Sequence, residues 1–183
     1  AGGVAGCFIH EHHARNTAPY GQPDYLPRLA GWWGNDPATR FKMTPDFVPA
    51  PTADAWSLSN PPILALTPVR VSLELFDRVG LNALRAKSER MTAYLRELID
   101  AIPGAEKSLT ITTPRELNAR GCQLSLAVHD RPKELHTSLG DHGVVCDFRE
   151  PNVIRIAPVP LYNSFHDCWR FATILRSHLE RRS

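Results

Sequence analysis

One arginine stands in an otherwise apolar run near the end of the chain. Arg155 lies between two isoleucines, and the run leads into a proline-stiffened turn at 157–163. A cation in an apolar strand is costly unless an anion meets it. The planar guanidinium fork suits a carboxylate that is held by two parallel hydrogen bonds. Arg155 is therefore a candidate for binding a carboxylate ligand, although a structural ion pair within the protein explains the same pattern.

Two short segments supply further candidates. Gly-Trp-Trp-Gly at 31–34 places Trp32 in a backbone that can approach a ligand closely. Ser59 and Asn60 precede two prolines and a helical pattern, and the start of a helix binds phosphate through its free N–H groups. The structural alternatives are anchoring of the tryptophan loop in the core and capping of the helix by Ser59 or Asn60.

The run His-Glu-His-His at 10–13 has metal-binding residue types but not a metal-binding arrangement. Adjacent histidines point to opposite faces of a strand and diverge by about 100° on a helix. No second cluster of ligands is evident in the sequence. We expect the polar end of an element here and no metal site.

The apolar periodicity predicts the elements that position these candidates. Residues 16–56 are rich in proline and predict a long irregular excursion with interspersed aromatic residues. The last helix should turn Trp169, Ala172, Leu175 and Leu179 inward, and Lys87 and Lys133 should face solvent. We predict helices over 61–79, 81–103, 134–142 and 165–181, and strands over 4–9, 109–112, 123–128, 144–148 and 153–157. Strands interleaved with helices indicate an α/β layer.

Composition and cysteine usage limit the function classes. A formal net charge of +2 is too small to argue for a nucleic-acid or membrane partner, and no apolar run approaches the roughly 20 residues of a membrane span. The four cysteines have no paired spacing, which predicts reduced thiols in the cytoplasm. Three of them, Cys7, Cys122 and Cys146, lie in apolar runs and are expected in the core. The chain begins without methionine, so we expect a piece of a longer protein.

Six ordered motifs resemble the kynureninases, pyridoxal-phosphate enzymes of the aspartate-aminotransferase fold type. The likeness covers the chain except for 15–30. Its motifs are Gly-Trp-aromatic-Gly at 31–34, Thr-Arg-Phe-x-Met at 39–43, Ser-Asn-Pro-Pro at 59–62, Leu-Arg-x-Lys-Ser at 84–88, Arg-Gly-Cys-Gln-Leu at 120–124, and Arg-x-Ala-Pro-x-Pro-Leu-Tyr-Asn at 155–163. The chain departs from many family members at Trp33 and Asn35, which replace phenylalanine and histidine.

This resemblance implies the α/β fold of pyridoxal-phosphate enzymes of fold type I. Residues 1–80 would be the carboxy-terminal part of the large cofactor-binding domain, and 81–103 a linking helix. Residues 104–183 would form the small carboxy-terminal α/β domain.

The resemblance also implies roles for the candidates. Trp32 and Asn60 would contact pyridoxal 5′-phosphate, while Ser59 and Asn60 would line the pocket for the aromatic end of the substrate. Arg155 would hold the substrate α-carboxylate. The Schiff-base lysine is expected upstream of Ala1, so the chain holds no catalytic residue and would be inactive alone. A homodimer would share its active sites.

The implied reaction is hydrolytic Cβ–Cγ cleavage of kynurenine, or of its 3-hydroxy form, to the corresponding anthranilate and alanine. It would serve tryptophan catabolism and NAD biosynthesis, and the substrate's ring hydroxylation stays open. Two alternatives remain: another fold-type-I pyridoxal-phosphate enzyme, such as a desulfurase or aminotransferase, and a non-catalytic truncated dimerisation module.

Overall fold

The computed structural model describes residues 3–181 and divides the chain into two compact units, Ala1–Glu74 and Leu75–Ser183. The first unit contains a one-turn helix α1 (Glu11–Ala14) and two 3₁₀ turns (Trp32–Gly34 and Ala53–Trp56). Its long proline-rich excursion is irregular, as predicted. The strand that we predicted over 4–9 does not form, because no segment among the described residues pairs with it.

The next helix, α2 (Ile63–Val79), carries the boundary between the units and includes Pro68. Its existence was predicted, but none of its residues is buried. Leu64 is 91% exposed and Leu73 is 58% exposed. Within residues 3–181 most of the apolar residues of α2 are thus exposed, and Val69 and Phe76 are only partly covered.

The second unit contains a four-stranded antiparallel sheet with the strand order β1-β2-β4-β3. Its strands are β1 (Leu109–Ile111), β2 (Leu124–Val128), β3 (Asp147–Arg149) and β4 (Val153–Ile156). Its helices are α3 (Leu81–Asp100), α4 (Ala105–Ser108), α5 (Pro132–Asp141) and α6 (Phe165–Glu180). The assignment of residues 1–80 to a large domain, 81–103 to a linking helix and 104–183 to a small domain stays a prediction.

The core of the second unit lies between the sheet and the helices. Buried side chains alternate along β2, and α3 packs on α6 through one apolar stripe each. The prediction for Trp169 was wrong, since this residue is 48% exposed and its ring stacks on His166. Cys168 and Phe171 point inward in its place. Residue 169 is one position away from the 168–171–172–175 stripe, or about 100° around the helix.

Two further predictions need correction. The third strand begins at Asp147 rather than at 144, because its ladder with β4 runs only from Asp147 to Arg149 and the residues before Asp147 do not pair with β4. Cys7 is exposed, and Cys122 and Cys146 are only partly buried, whereas Cys168 is buried. Burial raises the pKa of the Cys168 thiol to about 11. All four cysteines are free thiols.

Two negative findings concern the described residues. Within residues 3–181 no helix has the length and apolar character that a membrane crossing requires. The same residues include no group of three or more histidine, cysteine, aspartate or glutamate side chains that could hold a metal ion. The segment 10–13 forms α1, where His10 caps the helix by accepting from the backbone N–H of His12.

Candidate functional site

The tryptophan loop rests directly on the backbone that precedes Ser59. A Cβ atom added at Gly31 would lie 2.2 Å from the Cα atom of Leu58, and one at Gly34 would lie 2.7 Å from the carbonyl oxygen of Ala55. Only glycine permits so close an approach of two backbones. Gly31 and Leu58 are in contact, and Trp32 and Ser59 are the residues that follow them. The structure therefore brings Trp32 and Ser59 close together.

Trp32 itself is largely exposed. Its side chain is 57% accessible, and its indole N–H donates to the carbonyl oxygen of Arg40 at 3.2 Å. The ring meets Phe41 edge to face, with 5.9 Å between ring centroids. Since the N–H already has a partner, a ligand would meet Trp32 through its exposed ring. The core-anchoring alternative does not describe Trp32.

The second tryptophan takes a structural part instead. The guanidinium of Arg40 lies 4.5 Å from the centroid of the Trp33 ring, and its Nη2 donates to the carbonyl oxygens of Trp33 and Asn35 at 2.9 and 3.1 Å. Asn35 Oδ1 accepts from the backbone N–H of Val48 at 3.1 Å and from Thr39 Oγ1 at 3.2 Å. Both residues that depart from the family pattern thus hold the loop together.

Ser59 and Asn60 are exposed at the approach to α2. Neither side chain forms a hydrogen bond with any residue in 3–181, so neither caps the helix. The first turn is closed instead by the carbonyl oxygen of Pro62, which accepts from the N–H groups of Ala65 and Leu66. The hydroxyl of Ser59 and the amide of Asn60 are therefore both free to meet a ligand.

Arg155 lies in the second unit, on β4, directly opposite Asp147 on β3. Its Nε donates to Asp147 Oδ2 at 2.6 Å, and its Nη2 donates to the same oxygen. Arg149 Nε reaches this oxygen as well, at 2.9 Å. Hydrogen bonds from Arg155 and Arg149 lower the pKa of Asp147. The structural ion pair that we left open as an alternative is present, and the Arg155 side chain is still 34% exposed.

Sequence reasoning missed Asp147. The spacing of the β3–β4 hairpin could have identified it. A turn centred near Pro151 pairs residue 147 with residue 155 across an antiparallel ladder. An acidic residue opposite a basic one on the same face of a sheet is a favourable cross-strand pair.

Lys87 was predicted to face solvent, and this was wrong. Its ammonium group donates to the carbonyl oxygens of Pro160 and Asn163, both at 2.7 Å. Asn163 closes the same turn, since its Oδ1 accepts from the backbone N–H of Val159 at 2.9 Å. Lys87 on α3 therefore fixes the turn between Arg155 and α6. No sequence signal pointed to this, because carbonyl acceptors leave no mark in side-chain identity.

Arginines from two other motifs also join separate segments of the chain by hydrogen bonds. Arg85 Nη1 donates to the carbonyl oxygen of Arg120 at 2.6 Å, and Arg120 Nε donates to Thr92 Oγ1 at 3.2 Å. Thr92 and Arg120 are both buried. The motifs at 84–88 and 120–124 are thus explained by attachment of the segment before β2 to α3.

A cleft of about 370 Å³ opens where β3 and β4 diverge, between residues 143–146, the end of β4 and the first turn of α6. Ile156 and Ala157 line it, whereas Arg155 does not. Successive residues of a strand face opposite sides of a sheet. The carboxylate candidate and this cleft therefore lie on different faces.

Comparison with known proteins supplies the family. The profile of the kynureninase C-terminal domain matches residues 84–175. The chain belongs to the kynureninase family. It is 51% identical to a kynureninase of Myxococcus xanthus over 97% of its length, and 53% identical to one of Xanthomonas oryzae over 93%. It spans only 39% and 38% of these two relatives, as their C-terminal part.

A solved structure supports the predicted fold. The apo structure of a cysteine desulfurase from Thermococcus onnurineus matches 84% of this chain with a TM-score of 0.65 at 15% identity, and the chain covers 39% of it. The family and the α/β fold of the pyridoxal-phosphate enzymes of fold type I, both predicted from six motifs, are confirmed.

Proposed function

We propose that this chain is the C-terminal part of a pyridoxal-phosphate-dependent kynureninase. The complete protein would cleave the Cβ–Cγ bond of kynurenine by hydrolysis and release anthranilate and alanine. The observation that carries the proposal is Arg155, a partly exposed guanidinium on a sheet strand, in a chain of the kynureninase family. Arginine presents a rigid fork of donors, and an amino-acid substrate presents a carboxylate that matches this fork.

The residues present fit contacts to the cofactor. Asn60 has an uncommitted, exposed amide, which suits a phosphate oxygen, and Trp32 offers an exposed ring face. Among the lysines, Lys87 is held by two carbonyls and Lys133 pairs with Glu150 at 2.7 Å. When bound, pyridoxal phosphate would supply the electron sink for bond cleavage.

This chain's own residues would bind and orient the substrate. Arg155 would hold the α-carboxylate, and Ser59 and Asn60 would contact the aromatic end through their free hydroxyl and amide groups. A substrate whose carboxylate is fixed has fewer orientations to sample before its Cβ–Cγ bond is cleaved, and such positioning lowers a barrier. The lysine that attaches the cofactor would come from an upstream segment, so the chain alone would be inactive.

The assembly and location form part of the same proposal. The complete protein would be a cytoplasmic homodimer with shared active sites. The four free thiols suit a reducing compartment. The exposed apolar residues of α2 suit a chain that packs against further protein, since exposed apolar patches mark such interaction surfaces.

The test is anthranilate fluorescence during incubation of the complete protein with kynurenine. Arg155→Ala should lower kcat/KM about 100-fold or more, because a charge-assisted bidentate pair is lost. Arg155→Lys should raise KM strongly and leave the cofactor absorbance in place. The matched control is Arg115→Ala, which removes an arginine that pairs with a single aspartate on the surface.

Two results would contradict the proposal. Unchanged KM in both Arg155 variants would remove the carboxylate role. Release of sulfur from cysteine without turnover of kynurenine would favour a desulfurase, the activity for which the structural neighbour from Thermococcus onnurineus is named.

A further inference from the structure

Asp147 leaves one edge of the Arg155 guanidinium free. It accepts from Nε and Nη2, which form the side edge of the group. A guanidinium carries five N–H donors, so the end edge keeps one hydrogen of Nη1 and the outer hydrogen of Nη2, which lie parallel. No acceptor in residues 3–181 meets Nη1. This end edge matches the two oxygens of a second carboxylate.

The charges around this pair favour a second carboxylate. Arg149 donates to the same oxygen of Asp147 that Arg155 uses, so two guanidinium groups share one carboxylate. The cluster of Asp147, Arg149 and Arg155 therefore has a net charge of +1. An anion that arrives at the free edge neutralises this excess charge rather than adding to a balanced pair.

The pairing also restricts how the arginine moves. A free arginine side chain samples many rotamers, whereas two hydrogen bonds from one edge to a single oxygen fix the plane of the group. Asp147 sits directly across the ladder from Arg155, on strands that are themselves hydrogen bonded. The free edge is consequently presented in one orientation before any ligand arrives, which removes an entropic cost of binding.

We propose that Asp147 is a positioning residue for substrate binding: it holds the side edge of Arg155 so that the end edge accepts the substrate α-carboxylate. This inference rests on the proposed function. A different role predicts a different result. If Asp147 only occupied the arginine until substrate displaced it, its removal would strengthen substrate binding. If it only stabilised the sheet, its removal would lower the melting temperature and leave KM unchanged.

The experiment uses the complete protein loaded with pyridoxal phosphate. We expect Asp147→Ala to raise KM for kynurenine about tenfold, with kcat changed less than about twofold. Asp147→Asn keeps an acceptor oxygen, so its KM should lie much closer to that of the unaltered protein than the KM of Asp147→Ala does. Asp147→Glu keeps the charge but moves the carboxylate by one methylene, and should raise KM about fivefold. Asp100→Ala is the matched control, since Asp100 pairs with Arg115 on the surface at 2.7 Å and should leave both constants unchanged.

A binding measurement separates this inference from the proposed function. Calorimetric titration with L-alanine and with L-alaninamide compares ligands with and without the carboxylate. Asp147→Ala should weaken only the binding of L-alanine. Equal or tighter binding of L-alanine, or an unchanged KM in the Asp147→Glu variant, would overturn the positioning role. Failure of the unaltered protein to release anthranilate would refute the kynureninase proposal, while the two titrations would still decide the role of Asp147. Should Asp147→Ala not fold, the glutamate variant decides alone.

Discussion

Two consecutive helices, α2 and α3, are separated by a single glycine and have very different surroundings. Both show apolar residues at helical spacing, and both were predicted as helices. Seven residues of α3 are buried, whereas none of α2 is. The periodicity of a sequence thus reports that a helix has an apolar side, but not which partner covers that side. For α3 the partner is the sheet and α6; for α2 nothing within residues 3–181 buries a residue of the helix.

The largest expected difference in the free energy of unfolding is between a leucine of the packed core and a leucine of α2, each replaced by alanine. Leu126 is 0% exposed, and Leu126→Ala should lower the free energy of unfolding by about 4 kcal/mol, since it removes buried methyl groups and leaves a cavity. Leu64 is 91% exposed, and Leu64→Ala should change it by less than about 0.5 kcal/mol. Urea unfolding followed by circular dichroism measures both. Similar losses would show that α2 is packed in solution.

A second comparison concerns space around glycine in the first unit. Gly31→Ala places a Cβ 2.2 Å from the backbone of Leu58 and should destabilise the loop by about 3 kcal/mol. The φ of Gly31 is −118°, which any residue adopts, so the clash is the only cause. The rate of limited proteolysis within the segment 31–58 measures how far the loop is destabilised. Gly6→Ala is the control, because nothing lies within 4 Å of its added Cβ; equal cleavage of both variants would contradict the close approach.

A third comparison sets a partly buried lysine against an exposed one. Lys87→Met keeps the apolar stem but loses two hydrogen bonds to carbonyl oxygens, and should cost about 2 kcal/mol. Lys133→Met loses an exposed ion pair with Glu150 and a contact at 6.0 Å with the face of the Phe148 ring, and should cost less than about 1 kcal/mol. Chemical denaturation of both variants is the measurement. Equal midpoints would mean that the ammonium contacts of Lys87 contribute nothing measurable.

The sequence was sufficient where a pattern belongs to a single element. The predicted ends of the long helices α3 and α6 lie within a few residues of the observed ones, because the apolar spacing of each helix repeats over several turns. The strand over 4–9 failed because a strand requires a neighbour, and apolar character alone does not provide one. The late start of β3 has the same origin, since the ladder between β3 and β4 begins only at the pair Asp147 and Arg155 and leaves residues 144–146 unpaired with β4.

The candidate site divides in a similar way. Motif positions selected Trp32, Ser59, Asn60 and Arg155, but not the contacts that each would make. The partner of Arg155 depends on the register of a hairpin, and the partners of Lys87 are carbonyl oxygens that every residue carries. These contacts depend on three-dimensional proximity, which neither composition nor spacing encodes directly.

Asp147 and Lys87 hold neighbouring parts of the chain through acceptors of different chemistry, and acid should therefore release them separately. Asp147 has a lowered pKa in the folded protein, so its contribution to stability is complete above the pKa of an unfolded aspartate. That contribution disappears as the pH falls through the lowered value, when the carboxyl takes up a proton and loosens its two arginines. The carbonyl oxygens of Pro160 and Asn163 do not titrate. An acid titration should thus free the arginine end of the hairpin while the turn that follows it stays anchored.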